Sequence, residues 1–168
     1  KPMTVAVKMP TTATSSVFVN LQTGPGGSAD QGVDALVSIE NVITGDHDDE
    51  VQGSSAHNVI RTLGGDDLVE ALAGNDTVFA GSGDDLVSGG NGNDSLRGES
   101  GRDFLGGDAG TDRIDGGADD DFLFGGVGVD TLWGGAGLDE LYGDDGNDAL
   151  YGGADGDLLV GGAGNDRG

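Results

Sequence analysis

Residues 125–142 read GGVGVDTLWGGAGLDELY, which is one nine-residue phrase written twice. In each copy a Gly-rich run leads to an aspartate at the sixth position, and a leucine follows at the eighth. The same phase extends in both directions without an insertion or deletion. The eighth position carries Val, Ile or Leu in every unit from Val51 to Leu159. Residues 44–168 are therefore a repeat array with a period of nine.

The composition is unusual for a chain of 168 residues. It contains 36 glycines and no cysteine, and its net charge is −24. The acidic balance argues against nucleic acid and anionic membranes as partners and favours cations. The absence of cysteine excludes disulfides and thiolate metal sites. No apolar run approaches the roughly 18 residues of a membrane helix, so we expect no membrane insertion. Because the N-terminus carries no initiator Met or secretory signal, we expect a segment of a longer protein.

Residues 1–43 differ from the repeats. Val17, Val19 and Leu21 occupy alternate positions, which is typical of a half-buried strand. Residues 35–43 form a second apolar run, and residues 4–7 are a further short candidate strand. We predict an N-terminal β lead-in or cap over 1–43, followed by the repeat domain over 44–168.

Each repeat unit has one aliphatic side chain to bury. A single inward side chain fits a very short strand, and such a strand is stable only when neighbouring units stack on it. Two units then form an 18-residue coil, and successive coils pair as parallel strands on two facing sheets about 4.8 Å apart. The sequence therefore predicts an all-β, two-sheet solenoid whose core is the column of eighth-position aliphatics.

In this arrangement the Gly-rich turns align in two columns, one on each edge. Like charges repeated at about 5 Å repel unless a divalent cation lies between them. Glycine allows positive φ and lets backbone carbonyls turn inward. Carboxylates with carbonyls, without sulfur or imidazole, form the oxygen-rich site that Ca²⁺ prefers, whereas Mg²⁺ demands a tighter octahedron. One column holds Asn58, Asp76, Asp94, Asp112, Asp130, Asp148 and Asp166; the other holds Asp49, Asp67, Asp85, Asp103, Asp121, Asp139 and Asp157.

The units GGNGNDSLR (89–97), GGVGVDTLW (125–133) and GGAGLDELY (134–142) match G-G-x-G-x-D-x-U-x at every fixed position, where U is a large aliphatic residue. This pattern resembles the calcium-binding RTX repeat, over roughly 44–168. The resemblance implies a right-handed parallel β-roll in which each Ca²⁺ lies between one turn and the turn two units later. It also implies that the ligands are the sixth-position Asp side chains and carbonyls of the Gly-rich turns. The corresponding residues are Asp67, Asp76, Asp85, Asp94, Asp103, Asp112, Asp121, Asp130, Asp139, Asp148, Asp157 and Asp166, with Gly90, Gly92, Gly126, Gly128, Gly135, Gly137, Gly146, Gly162 and Gly164.

Some units depart from the pattern. Residues 44–61 lack the glycine framework, so we predict degenerate capping coils there and calcium-binding units over 62–168. Asp119 and Asp155 replace glycine at the fourth position, where Asp tolerates the left-handed region better than most residues. Pairing the turns from residue 62 onward gives an upper bound of about ten calcium ions.

The remaining polar residues indicate neither a catalytic site nor a second metal site, and the aromatic residues indicate a contact surface. His47 and His57 lie in the degenerate units without metal-site spacing and are expected at the surface. No catalytic constellation is present, so we expect no enzyme within this chain. Phe104, Phe122, Phe124 and Tyr142 should share one sheet, where exposed rings could bind carbohydrate or a partner domain.

These features together predict a module that folds on binding calcium. The family resemblance implies a secreted or cell-surface bacterial protein exported unfolded by type I secretion. Two roles remain open. The module could be a structural or adhesive part of a larger extracellular protein, with a neighbouring domain, a surface partner or polysaccharide as partner. Alternatively, it could be the non-catalytic accessory domain of a secreted enzyme, similar to those of serralysin-like proteases, lipases or alginate epimerases.

Overall fold

The structure is a computed structural model that describes residues 7–8, 18–20 and 41–168. Short β-strands joined by turns make up this described part, and it contains no helix, hence none that could cross a membrane. The strands are β1 (Val7–Lys8), β2 (Phe18–Asn20), β3 (Asn41–Ile43), β4 (Glu50–Ser54), β5 (Val59–Gly64), β6 (Leu68–Leu72), β7 (Thr77–Ser82), β8 (Leu86–Ser88), β9 (Ser95–Ser100), β10 (Phe104–Gly106), β11 (Ala109–Gly110), β12 (Arg113–Ala118), β13 (Phe122–Gly128), β14 (Thr131–Ala136), β15 (Glu140–Gly146), β16 (Ala149–Ala154) and β17 (Leu158–Val160).

The strands form two sheets, and the chain alternates between them. The first sheet has the order β1-β3-β5-β7-β9-β12-β14-β16, and the second has the order β17-β15-β13-β10-β8-β6-β4-β2, with β11 paired to β13. Pairing is parallel throughout, and paired repeat residues are 18 apart, as for Leu132 with Leu150 and Leu141 with Leu159. The predicted all-β parallel solenoid with two sheets and about 18 residues per coil is confirmed, with about seven turns.

The core is the single column of aliphatic side chains between the two sheets. The eighth-position residues from Val51 to Leu150 are at most 2 % exposed. Leu159, on the terminal strand β17, is 38 % exposed because no further coil covers it within the described chain. Each coil therefore buries its two aliphatics only through its neighbours, as the repeat period requires.

Many of the strands are longer than the very short strands that the pattern predicts. Several continue into the first residues of the next Gly-rich phrase, and β13 and β15 reach seven residues. Within β12 and β14, for example, Gly117 pairs with Gly135 and Ala118 with Ala136. The glycines thus belong partly to the sheets, because their backbone groups need partners in the stack as much as those of the strands do.

The described parts of the N-terminal region extend the same two sheets. β1 pairs with β3, and β2 pairs with β4. Val19, predicted to lie in a strand, is in β2 and is buried, and Val42 in β3 is also buried. The other residues of the predicted lead-in strands, including Val17, Leu21 and 35–40, lie outside the described residues. The division at residue 43 stays a prediction.

Candidate metal centre

The turns at the edges of the solenoid adopt left-handed backbone at two positions of the phrase. Gly90 and Gly92, at positions two and four, have φ of 95° and 141°. Asp119 and Asp155 keep positive φ at position four, with values of 79° and 76°, so the expectation that these turns survive is confirmed. The conformation is imposed by the stack, since even non-glycine residues adopt it at position two: Leu63, Leu72, Glu99, Asp108 and Asp144.

The sixth-position aspartates form two ladders, one along each edge. The backbone N–H of Asp94 donates to Oδ1 of Asp112 at 2.8 Å, and Asp112 donates in the same way to Asp130. The same bond, at 2.6–3.1 Å, reaches all twelve predicted aspartates from Asp67 to Asp166. One carboxylate oxygen of each aspartate is therefore used to align successive coils.

The second oxygen of these carboxylates has a different environment. Oδ2 is buried and has no hydrogen-bond partner in ten of them: Asp67, Asp76, Asp85, Asp94, Asp103, Asp112, Asp121, Asp130, Asp139 and Asp148. An unpartnered buried carboxylate oxygen is costly, and its recurrence in successive turns indicates a missing positive partner.

In the two degenerate units, the corresponding side-chain oxygen accepts a hydrogen bond from its own turn. Oδ2 of Asp49 accepts a hydrogen bond from the N–H of Gly45 at 3.0 Å. Oδ1 of Asn58 accepts one from the N–H of Ser54 at 2.8 Å. Side-chain oxygens satisfied within their own turns do not call for a cation, which supports the prediction that residues 44–61 are capping coils.

Carbonyl oxygens of neighbouring turns surround the unpartnered Oδ2 atoms. A Cβ added at Gly125 would lie 2.8 Å from both Oδ2 of Asp130 and the carbonyl oxygen of Gly143, two units later. A Cβ added at Gly92 would overlap the carbonyl oxygen of Gly74, and one at Gly128 that of Gly110. Glycine at position one thus leaves space beside Oδ2 and a carbonyl oxygen of the next coil, whereas glycine at position four lets the backbones of stacked turns approach closely.

Burial also changes the acidity of these carboxyl groups. Loss of solvent raises the pKa of Asp67, Asp103, Asp112 and Asp121 to about 7, and that of Asp76 and Asp85 to about 6. It raises the pKa of Asp94, Asp130, Asp139 and Asp148 as well. The hydrogen bond to Oδ1 opposes the rise in pKa, and the charges of neighbouring aspartates, in the ladder or elsewhere in the turns, add to it. Without a cation, the turns therefore hold carboxylates in an environment that disfavours their charge.

The donor set fits a hard divalent cation. Each calcium-binding turn offers one sixth-position carboxylate and several backbone carbonyls. The described residues contain no group of three His, Cys, Asp or Glu side chains that could hold a metal. Oxygen donors from a flexible Gly-rich backbone suit Ca²⁺, which accepts six to eight oxygens in irregular geometry.

The predicted residues at the C-terminal end are less enclosed. Asp157 and Asp166 are half-buried, although their Oδ1 atoms still accept the N–H groups of Asp139 and Asp148. Among the predicted glycines, Gly126, Gly135, Gly137, Gly162 and Gly164 also have positive φ, and each would place a Cβ against the backbone of the turn two units earlier. Gly146 would do the same against Gly128.

A second ladder, at the fifth position, was not predicted from the sequence. Oδ1 of Asn75 accepts the N–H of Asn93, and Oδ1 of Asn93 accepts that of Thr111, both at 2.9 Å. Nδ1 of the exposed His57 accepts the N–H of Asn75 at 2.7 Å, which places this histidine in the ladder. The frequent Asp and Asn at position five are the sequence feature from which this ladder could have been predicted.

These observations define a class of protein: a parallel β-roll whose edges carry oxygen-lined cation sites. A model of the RTX calcium-binding nonapeptide repeat matches the chain in four copies, at residues 43–78, 70–105, 106–141 and 133–167. The chain therefore belongs to the RTX calcium-binding repeat family, and its repeat region is a calcium-binding β-roll module. A search of curated proteins gave no significant match.

Proposed function

We propose that this module folds when it binds calcium outside the cell, and that folding is its contribution to a larger extracellular protein. The observation that carries the proposal is the set of ten buried Oδ2 atoms without a partner, repeated in ten successive turns from Asp67 to Asp148. A cation at each of these atoms supplies the positive partner that the protein itself does not provide.

Folding and binding are coupled because few interactions stabilise the folded chain when no metal is bound. The core is one aliphatic side chain per strand, and the net charge is −24. Each calcium ion adds two positive charges between stacked turns, so the free energy of binding becomes free energy of folding. Sites of extracellular modules bind calcium weakly, in the range of about 10⁻⁴–10⁻³ M, and would be empty at cytosolic calcium levels.

The proposed ligands are the sixth-position carboxylates from Asp67 to Asp166 and carbonyls of the Gly-rich turns. Asp67 to Asp148 have the unpartnered Oδ2 in common, whereas Asp157 and Asp166 close the ladders in a more open environment. About ten ions remain the upper bound for the array, because each ion needs oxygens from two turns.

The family is typical of secreted bacterial proteins, which supports secretion by a type I route in which the unfolded chain is exported and folds on emergence. Within the parent protein, we propose a structural or adhesive role. The alternative is a non-catalytic accessory domain of a secreted enzyme. Sequence adjoining the module decides between them: further repeats favour the first role, and a catalytic domain favours the second.

An aromatic face supports a role in contacts. As predicted, Phe104, Phe122, Phe124 and Tyr142 share the outer face of the second sheet, where Phe104 pairs with Phe122 and Phe124 with Tyr142. The rings of Phe104 and Phe124 stack at 4.8 Å, and those of Phe124 and Tyr142 at 5.0 Å. Phe104 is 46 % exposed. A neighbouring domain, a surface partner or polysaccharide are the proposed partners of this face.

Far-UV circular dichroism tests the coupling between calcium and folding. The calcium-depleted chain is titrated with CaCl₂ and, in parallel, with MgCl₂ at equal ionic strength. We expect a cooperative gain of β signal with calcium, its loss on adding chelator, and little change with magnesium. An unchanged spectrum with calcium, or an equal response to magnesium, contradicts the proposal.

A further inference from the structure

The outer face of the first sheet carries a small cavity that touches one Gly-rich turn, at Gly135. It has a volume of about 460 Å³ and is open to solvent. Three adjacent strands, β9, β12 and β14, form its floor. The lining side chains that matter chemically are Ser95, Arg97, Arg113, Asp115 and Trp133.

The pairing of the strands places these groups in order. Arg97, Asp115 and Trp133 are in-register neighbours at the ninth position, so that Asp115 lies between the other two. Ser95 and Arg113 are neighbours at the seventh position of β9 and β12. Two guanidinium groups, a carboxylate and an indole thus face solvent on one patch of the sheet.

The two arginines are exceptional in this molecule. The chain has seven basic residues against 31 acidic ones, yet Arg97 and Arg113 line the same cavity. Neither forms a salt bridge with any carboxylate of the described residues. Two exposed guanidinium groups that line one cavity without a carboxylate salt bridge favour an external anion that can accept several hydrogen bonds.

Aromatic contacts hold both ends of the patch in place. Phe79 lies between two arginines, with its ring centre 4.2 Å from Cζ of Arg61 and 5.5 Å from Cζ of Arg97. At the other end Trp133 stacks on Tyr151 at 5.9 Å while remaining 38 % exposed. The cation–π contact restricts Arg97, and the stacking restricts the indole, so a ligand meets a partly ordered site.

We propose that this cavity binds an acidic saccharide, meaning a sugar ring that bears a carboxylate or a sulfate. The anionic group binds Arg97 and Arg113, and the apolar face of the ring lies on Trp133. Ser95 and Asp115 provide acceptors for ring hydroxyl groups, which are donors that a simple anion lacks. Nucleic acid fits less well, because its continuous phosphates would meet the acidic remainder of the chain.

The side chains proposed to contact the saccharide are not calcium ligands, although Gly135, in a calcium-binding turn, also lines the cavity. The cavity lies on the face of the sheet, whereas the calcium ligands proposed above lie in the turns at its edges. Binding of the saccharide still requires calcium, because the three strands come together only in the folded state and because bound calcium offsets part of the net negative charge. Circular dichroism reports folding and keeps the two proposals distinguishable.

Trp133 is the only tryptophan of the chain, so its fluorescence reports directly on the cavity. The calcium-loaded protein is titrated with trigalacturonate, and with the neutral trisaccharide obtained by reducing its carboxylates to hydroxymethyl groups. A sulfated trisaccharide tests whether sulfate replaces carboxylate. We expect a saturable change with the acidic ligands, and affinity weaker by about tenfold or more in Arg97→Ala and Arg113→Ala, since each removes a charge-assisted hydrogen bond.

Arg102→Ala is the matched control. It makes the same change in net charge, but Arg102 lies over the ring of Phe122 on the second sheet, and its affinity for the trisaccharide should equal that of the wild type. Asp115→Asn should bind at least as tightly, because it removes a carboxylate next to the anion. The proposal is overturned if the wild type shows no saturable change, if the neutral trisaccharide binds equally well, or if Arg102→Ala weakens binding as much as Arg97→Ala. All variants must show the wild-type dichroism in calcium, as expected for outward side chains.

Discussion

The two oxygens of each sixth-position carboxylate have separate roles, and substitutions at Asp112 can separate them. Oδ1 of Asp112 accepts the N–H of Asp94 at 2.8 Å, while Oδ2 has no partner. Asp112→Asn keeps an oxygen for the ladder and removes the charge. Asp112→Ala removes both.

The hydrogen bonds of Asp112 determine how much the two variants should differ in stability. In Asp112→Ala the N–H of Asp94 is left buried without its acceptor, which costs about 1–3 kcal/mol. In Asp112→Asn this bond remains, because the amide keeps an oxygen at the Oδ1 position. We therefore expect Asp112→Asn to be more stable than Asp112→Ala at a low calcium concentration at which both variants are partly folded.

Calcium binding, in contrast to stability, should be weakened in both variants. Both variants lose the anionic ligand of one site, so isothermal titration calorimetry should show about one ion fewer than in the wild type. Urea unfolding, at a low calcium concentration that keeps both variants partly folded, measures how much the ladder hydrogen bond contributes to the free energy of unfolding. An Asp112→Asn protein that binds as many ions as the wild type with the same affinity would refute the assignment of Oδ2 as a ligand. Equal stability of the two variants would refute the ladder.

Three further predictions concern the core, the turns and pH. Leu132→Ala should cost about 2–5 kcal/mol in urea unfolding at saturating calcium because its side chain is fully buried. Leu138→Ala, at a position that is 59 % exposed, should change stability by no more than about 0.5 kcal/mol. Gly128→Ala should raise the calcium midpoint of folding, because the added methyl group overlaps the carbonyl of Gly110, whereas Gly156→Ala has only a contact at 3.9 Å to accommodate and should not. Because burial raises the pKa of several ladder aspartates from 3.8 to about 7, protons stabilise the metal-free fold below about pH 4, and that stabilisation is lost as the pH rises to about 7. Calcium-depleted protein should gain β signal on acidification and bind calcium more weakly at pH 6 than at pH 8; the absence of both effects, measured by dichroism in metal-free buffers, would contradict this.

The repeat period predicts most of the fold, because each structural requirement recurs at a fixed position. The inward aliphatics and the 18-residue spacing of the aspartates follow from the phase alone, and Leu132 and Asp130 lie where the pattern predicts. The sequence also predicts the shared aromatic face, since Phe104 and Phe122 are 18 residues apart.

Other features depend on the stacked backbone and could not be predicted. Leu63 and Leu72 adopt positive φ, which no local preference of leucine indicates, because pairing with the neighbouring turns forces it. The different environments of Oδ1 and Oδ2 are likewise a property of two adjacent coils. The neighbourhood of Arg97 and Trp133 follows from the pairing, but nothing in the separate repeats marks it as a cavity.

Small-angle X-ray scattering on the same sample, with saturating calcium and then with chelator, tests the coupling of calcium to folding most directly. A chain of 168 residues has an expected radius of gyration of roughly 15–20 Å when compact and roughly 40 Å when unfolded. We predict a value in the compact range with calcium, and an increase to about twice that value on chelation, reversed when calcium is restored. A radius that stays compact after chelation would show that the aspartate ladders hold together without a cation, and would contradict the account.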